Sequence, residues 1–239
     1  MRLDKFLFKK GYVKSRNRAK EYIKSGFIKV DEVVIKKVSF LVEDSSRIEI
    51  LQQKEYVSRA ALKLKNFFKS FDNNFIRERV CLDVGASSGG FTQVLLENGA
   101  FRVYALDVGS SQLDKSLRDD KRVINLEKQD IRNFFFEKPF DLITCDVSFI
   151  SIHKIISHLN RLAKSDLIIL FKPQFEVGKE AKRDKRGVVL DKEAIKKSMI
   201  IFENETKRIG WKLIKKEPSL IKGMAGNEEF FYYFKKGMV

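Results

Sequence analysis

Three carboxylates and a lysine stand at positions in the sequence where they could do chemistry together. Asp83, Asp107 and Asp146 each lie at the end of an apolar run, and Lys172 follows another. Such runs are typical of buried parallel strands, whose carboxyl ends meet at one edge of a sheet, where ligands bind. Acids and an amine gathered at that edge could bind a cationic ligand and move a proton.

A glycine-rich loop follows the first of these acids and opens a helix, with the sequence DVGASSGGFT over residues 83–92. The serine at position 87 breaks the G-x-G-x-x-G spacing of dinucleotide sites, and Asp83 would repel a pyrophosphate. S-adenosylmethionine carries an ammonium and a sulfonium but no phosphate, so we expect this cofactor rather than NAD. The expected contacts are Asp83, Gly85, Ser87, Gly89, Gly90 and Phe91 for its amino-acid end, Asp107 for its ribose and Asp130 for its adenine.

The elements that must position these residues alternate between strand and helix from Ser58 onward. A helix is predicted from Thr92, after the glycine-rich loop. Continuous apolar strands separated by helices indicate a parallel sheet that is covered on both faces, so the predicted class is α/β. The apolar runs predict strands at 80–84, 103–106, 140–144, 167–171 and 230–234.

Residues 1–50 have a pattern of their own. Apolar residues recur at helical spacing from Leu3, and a second helix is predicted between Ser15 and Gly26, before short strands at 27–35. We interpret the strongly basic face of this unit as a site for phosphates, although a solvated helix face would have the same composition. The candidate RNA contacts in it are Arg2, Lys5, Lys14, Arg16, Arg18 and Lys20.

The composition of the whole chain narrows its class. The 239 residues include 48 Lys and Arg against 32 Asp and Glu, a formal net charge of +16. Such a positive field favours nucleic acid as the first partner and a membrane surface as the second. Two cysteines suit a reducing compartment, and neither a signal peptide nor an apolar run of spanning length is present. We therefore expect a cytoplasmic protein without stable membrane association.

Several motifs resemble known families. The segment RLDKFLFKKGYVKSRNRAKEYIKSGFIKVDEVVIKK resembles the S4-like RNA-binding module, and DVGASSGGFT, SRAALKL, CDVSF, FKPQFE and GNEEF resemble FtsJ-like ribose 2′-O-methyltransferases. Together they resemble the TlyA-type rRNA methyltransferases, also called hemolysin A. The resemblance implies a Rossmann-like S-adenosylmethionine-dependent methyltransferase domain with a small N-terminal α+β S4-like domain. The expected boundaries are 1–50 for the S4-like domain, 51–57 for a linker and 58–239 for the methyltransferase domain.

The resemblance also implies a catalytic tetrad of Lys63, Asp146, Lys172 and Glu229 and, as its reaction, methylation of the 2′-hydroxyl of a cytidine in large-subunit rRNA, with small-subunit rRNA as the other candidate. Lys172 would be the general base, and it must be uncharged to accept the proton, which burial or a neighbouring cation favours. Glu228 remains an alternative to Glu229, because neighbouring side chains of a strand face opposite ways and only one can enter the site.

Other chemistries fit the sequence less well. The segment after Cys145 lacks the proline motif of base amino-methyltransferases, and Cys145 itself should face the core beside Asp146. His153 and His158 have no partners at ligand spacing, so we expect no metal.

A second basic segment, at 179–187, follows Lys172 and is a candidate RNA-binding loop. The expected RNA contacts outside residues 1–50 are Arg59, Lys182, Arg183, Lys185 and Arg186. Two other functions remain open from the sequence, a non-catalytic RNA-binding factor of ribosomal-subunit assembly and a membrane-active hemolysin. The sequence leaves the oligomeric state open.

Overall fold

The computed structural model describes residues 1–13, 15–24, 26–51 and 56–237, and the chain separates into two units, Met1–Glu55 and Tyr56–Val239. The predicted connector at 51–57 falls mainly on residues 52–55, outside the described ranges. None of the helices in these ranges combines the length and the apolar composition that a membrane-spanning segment needs.

The first unit has two short helices and a small antiparallel sheet. Ser15 caps the second helix as predicted, since its Oγ accepts a hydrogen bond from the backbone N–H of Arg18 at 3.2 Å. Apolar residues at helical spacing, among them Leu3 and Ile23, bury one side of both helices against the sheet. The elements are α1 (Leu3–Lys9), α2 (Arg16–Lys24), β1 (Ile28–Val30), β2 (Val33–Val34) and β3 (Ile48–Ile50), in the sheet order β2-β1-β3. The sequence pattern did not predict β3.

The described residues of the second unit form a seven-stranded sheet in the order β6-β5-β4-β7-β8-β10-β9. Its strands are β4 (Val80–Val84), β5 (Arg102–Asp107), β6 (Val123–Glu127), β7 (Phe140–Cys145), β8 (Ala163–Phe171), β9 (Trp211–Pro218) and β10 (Phe230–Lys236). Its helices are α3 (Arg59–Phe68), α4 (Gly90–Glu97), α5 (Lys115–Arg118), α6 (Ile156–Leu162) and α7 (Lys192–Arg208), with 3₁₀ turns at Asn74–Ile76, Ile152–Lys154 and Pro173–Phe175.

The predicted α/β class is confirmed, but the sheet is not entirely parallel. Strands β4 to β8 run parallel, whereas β10 is antiparallel to both β8 and β9. The strand β9 was not predicted, because charged residues interrupt its apolar pattern. β9 and β10 follow one another in the chain without an intervening helix, so they pair as antiparallel neighbours.

Two apolar layers cover the two faces of the sheet and hold the elements that carry the site. On one face, Phe67 of α3 stacks on Phe231 of β10 with ring centroids 4.6 Å apart. On the other, Phe202 of α7 meets Tyr232 edge-on at 5.1 Å. Because Phe231 and Tyr232 alternate along one strand, β10 is held from both sides.

We predict that Phe231→Ala lowers the free energy of unfolding by about 3–5 kcal/mol, because it removes a buried ring and leaves a cavity between β10 and α3. Urea denaturation followed by circular dichroism measures the loss. Ile200→Ala, at a half-exposed position of α7, is the matched control and should change stability by no more than about 0.5 kcal/mol. Equal effects of the two substitutions would contradict the packing described here.

Candidate functional site

Two buried ion pairs lie at one edge of the seven-stranded sheet. The Nζ of Lys63 is 2.6 Å from Oε2 of Glu229, and the Nζ of Lys172 is 2.6 Å from Oδ1 of Asp146. None of the four side chains is more than 12% exposed. The structure thus brings together the four residues of the expected tetrad.

The strand register explains why residues so far apart in sequence meet. Asp146 and Lys172 directly follow β7 and β8, which are parallel neighbours, so both leave the sheet at the same edge. Because β10 runs the other way, its first residue, Phe230, pairs with Phe171, the last residue of β8. Glu229 therefore enters the sheet at the edge where Lys172 leaves it.

The same register separates the two candidate glutamates. Glu229 is 3% exposed and bonds Lys63, whereas Glu228 is exposed to solvent. The alternation of side chains along an extended segment requires this difference. Of the two, Glu229 is therefore the one that can act within the cluster.

Two further side chains contact the ion pairs and were not predicted. The Nζ of Lys172 donates a hydrogen bond to Oγ of Ser148 at 2.8 Å, and Nε2 of Gln174 donates one to Oε1 of Glu229 at 3.2 Å. Gln174 lies two residues after Lys172, so it links the two pairs. The motifs CDVSF and FKPQFE contain both residues, but only the conformation of the loops shows where they point.

A cavity of about 380 Å³ opens beside this cluster, within the roughly 300–1,000 Å³ that is usual for small-molecule and cofactor sites. Its walls include Gly85, Ser87, Asp107, Asp130 and Asp146. A smaller cavity of about 180 Å³ shares Gly85, Ser87 and Asp146 with it, and its walls also include Ser58, Phe91 and Lys172. The charged cluster and the larger cavity therefore meet at Asp146.

The glycine-rich loop lines both cavities through Gly85 and Ser87. Gly85 has a φ of +79°, and a Cβ there would lie 2.7 Å from the backbone oxygen of Asp146, so only glycine lets the loop pass this close. Ser87 also has a left-handed backbone, with a φ of +49°. Its N–H donates to Oδ2 of Asp107 at 2.8 Å. Gly89 and Gly90 are not part of the walls; Gly90 instead packs against the start of α3.

The two acids expected to bind ribose and adenine lie on the cavity wall with partners of their own. Asp107 accepts hydrogen bonds from the backbone N–H groups of Ser87 and Gly109. Asp130 pairs with Arg132 at 2.5 Å. These bonds fix the orientation of both carboxylates. Asp107 keeps acceptor positions for a ligand, whereas the backbone N–H and guanidinium of Arg132 use both oxygens of Asp130.

Asp83 was expected to bind the amino-acid end of the cofactor, but it lies in the core and not on a cavity wall. Its carboxylate is fully buried and accepts hydrogen bonds from the hydroxyls of Thr92 and Thr144, at 2.7 and 2.9 Å. It does not belong to the wall of either cavity, so a direct contact with a ligand stays a prediction. Burial raises its pKa to about 6, against the opposing effect of the two hydroxyls.

Cys145, His153 and His158 are not among the residues that line the two cavities. Cys145 is buried, as expected, and burial raises the pKa of its thiol. No group of three or more His, Cys, Asp or Glu side chains that could hold a metal ion occurs in the described ranges.

Most candidate RNA-binding residues are at the surface, and one of them, Arg183, is bonded within its own loop. The guanidinium of Arg183 donates to the backbone oxygens of Gln174, Gly178, Lys179 and Ala181. Arg183 therefore binds the backbone of its own loop in this structure, and its contact with RNA stays a prediction. The neighbouring Lys182, Lys185 and Arg186 are exposed, as are Lys5 and Arg59, while Arg18 and Lys20 are half-buried. Lys14 lies outside the described residues.

Comparison with known proteins finds two families in this chain, whose matches fall within the two structural units. The family model for FtsJ-like methyltransferases matches residues 56–236, and that for the S4 domain matches residues 1–48. The first match covers more than half of the chain and includes every residue of the charged cluster.

Three proteins illustrate the similarity. The chain is 49% identical over 197 residues to the 23S rRNA (cytidine-2′-O)-methyltransferase TlyA of Campylobacter jejuni, which covers 82% of this chain and 77% of that protein. It is 36% identical over 241 residues to the 16S/23S rRNA (cytidine-2′-O)-methyltransferase TlyA of Mycobacterium tuberculosis, covering 98% and 89%. A solved structure from Streptococcus thermophilus, described as a candidate hemolysin, has a TM-score of 0.71 and 31% identity, covering 99% of this chain and 88% of that one.

The raised pKa of Asp83 predicts a pH-dependent stability. Since its pKa is about 6 when folded and near 3.9 when unfolded, the folded chain binds more protons between these values. Asp83 therefore contributes less to stability as the pH rises from about 4 to 6, and the loss, on the order of 3 kcal/mol, is complete above about pH 7.

The measurement compares urea unfolding of the wild-type chain and Asp83→Asn from pH 4 to pH 8. The wild type should lose stability relative to Asp83→Asn as the pH rises through this window. Two parallel curves would mean that the carboxyl group titrates alike in both states.

Proposed function

The chain belongs to the FtsJ-like methyltransferase family and has an S4 domain, and on this premise we propose that it transfers a methyl group from S-adenosylmethionine to the 2′-hydroxyl of a cytidine in rRNA. The observation that carries the proposal is the pair of buried lysine–carboxylate contacts, one of whose carboxylates, Asp146, lines a cofactor-sized cavity. The relatives are named for 23S rRNA and for 16S/23S rRNA; large-subunit rRNA is the first candidate. This substrate would place the protein where ribosomal subunits are assembled.

The larger cavity suits the proposed cofactor by charge and by shape. Of the three carboxylates on its wall, Asp130 and Asp146 are paired with Arg132 and Lys172. Asp107 is held by two backbone N–H groups and keeps its negative charge, which favours a cationic ligand over a phosphate. The close approach of Gly85 to the backbone of Asp146 sets the shape of this wall, because a side chain at position 85 would force the two segments apart. When bound, S-adenosylmethionine supplies an electrophilic methyl group on a sulfonium.

Lys172 is the proposed general base for the attacking hydroxyl. The 2′-oxygen would attack the methyl group that the cofactor supplies, and the hydroxyl proton would pass to Nζ of Lys172. Because this nitrogen is paired with Asp146 as an ammonium in the resting site, it must first give its own proton to solvent, so that it is uncharged when the hydroxyl attacks. Asp146 and Ser148 hold that nitrogen in place through two contacts of 2.6 and 2.8 Å. Holding both reactants in line supplies much of the rate in such a displacement.

Lys63 and Glu229 are proposed to position the ribose. Each of the two neutralises the charge of the other, and Gln174 donates a hydrogen bond to the second carboxylate oxygen of Glu229. The pair is thus fixed before substrate arrives, which lowers the cost of organising the site. The S4 domain and the positive charge of the chain would hold structured RNA by its backbone.

The test of the proposed function is transfer of labelled methyl groups from S-adenosylmethionine to rRNA from cells that lack this protein, followed by mapping of 2′-O-methylcytidine in both subunits. We predict that Lys172→Ala lowers turnover by at least about 100-fold, because the proton acceptor is lost. Cofactor binding measured by calorimetry should persist. Lys235→Ala, at the far end of β10, should retain activity, and unchanged turnover of Lys172→Ala would refute the assignment.

The two adjacent glutamates offer an internal control. We predict that Glu229→Gln lowers kcat by about 10-fold or more, since it removes the charge that holds Lys63. Glu228→Gln, one residue away and exposed, should change kcat by less than about 2-fold. The same loss in both variants would show that the buried pair has no special part in the reaction.

A further inference from the structure

A buried acid lies inside the basic face of the first unit. Asp4 is fully buried on α1, and its two carboxylate oxygens accept hydrogen bonds from Nε of Arg2 at 3.1 Å and Nε of Arg16 at 2.7 Å. An acid is an unexpected component of a surface that binds phosphates, because it repels them and because burying a charge is unfavourable unless the charge is paired. Its place between two arginines therefore requires a reason.

The geometry of the two contacts supplies that reason. Each arginine uses its Nε atom on Asp4, and no hydrogen bond joins the Nη atoms of either arginine to the described residues. The side chains of Arg2 and Arg16 remain 47% and 43% exposed. The outer N–H pair of a guanidinium is the edge that binds two oxygens of a phosphate at once.

We infer that Asp4 is a positioning residue that holds Arg2 and Arg16 as a two-arginine site for the RNA backbone phosphate. This inference rests on the proposed function, in which the S4 domain binds rRNA. Two guanidiniums and one carboxylate carry a single net positive charge, which one phosphodiester neutralises. Lysines on the same face, such as Lys5, act as point charges on flexible stems and give attraction without this fixed geometry.

The substitution Asp4→Asn separates positioning from simple charge. It removes a negative charge from the basic face, so a purely electrostatic role of this face predicts tighter binding of RNA. Loss of positioning predicts the opposite, a fall in affinity of about 10-fold, because both guanidiniums lose their anchor. The two interpretations thus differ in the sign of the effect.

The experiment measures binding of the full-length chain to deproteinised 16S and 23S rRNA by filter retention over a range of salt concentrations. For Asp4→Asn we expect weaker binding, a shallower salt dependence by about one phosphate contact, and a higher KM for rRNA with kcat unchanged. Affinity for S-adenosylmethionine should remain that of the wild type. Equal or tighter RNA binding by a folded Asp4→Asn chain overturns the inference.

A second variant decides the matter if Asp4→Asn unfolds the first unit. Arg2→Lys together with Arg16→Lys keeps every charge but removes the paired N–H edge, and we expect the same loss of affinity. Arg47→Lys, whose side chain is 81% exposed in the same unit, is the control and should bind RNA as the wild type does. Unchanged binding by the double-lysine chain overturns the inference.

The inference and the proposed function fail separately. A wild-type chain that binds rRNA but transfers no methyl group would refute the function and leave the arginine site standing. Methyl transfer by Asp4→Asn with the wild-type KM for rRNA would refute the arginine site and leave the proposed function standing.

Discussion

The pairing of β10 with β8 is the constraint on which the site depends. Side chains of a strand alternate between faces with a period of two, so a slip of one residue would exchange every inward and outward position. In the observed register Phe230 lies opposite Phe171. Of the adjacent residues Glu228 and Glu229, only Glu229 is then buried. The aromatic contacts of Phe231 and Tyr232 on opposite faces of the sheet hold that register, so the core determines which glutamate enters the cluster.

Four charges buried as two pairs do not by themselves stabilise a fold. Removing a lysine and a carboxylate from water costs several kcal/mol per ion, and mutual attraction often no more than offsets this. The contacts at Asp146 and Glu229 therefore agree with the proposed role of this cluster, organisation in advance of a reaction. Ser148 and Gln174 complete that organisation, because they occupy a proton of Lys172 and an oxygen of Glu229 that would otherwise be unpaired.

Much of this arrangement was predictable from the sequence, and the exceptions have physical causes. Apolar runs identified four of the five parallel strands, all but β6, and hence the edge where Asp107, Asp146 and Lys172 emerge. The antiparallel strand β9 escaped prediction because lysines interrupt its apolar positions. Ser148, Gln174 and Arg183 depend on how loops close, and the composition of a loop does not specify its hydrogen bonds. The sequence showed that only one of two glutamates could face the site, but the choice between them required the strand register.

The outermost strand, β9, has a consequence for how copies of this chain meet. An unpaired strand edge is a template on which another chain can add a strand and begin to aggregate. Leu213 and Ile214 on β9 are both partly exposed, but Lys212, Lys215 and Lys216 flank them and Pro218 ends the strand. Edge-to-edge contact between two copies would bring lysines together and meet a proline that cannot donate a hydrogen bond, so this flank resists polymerisation while the sheet remains open.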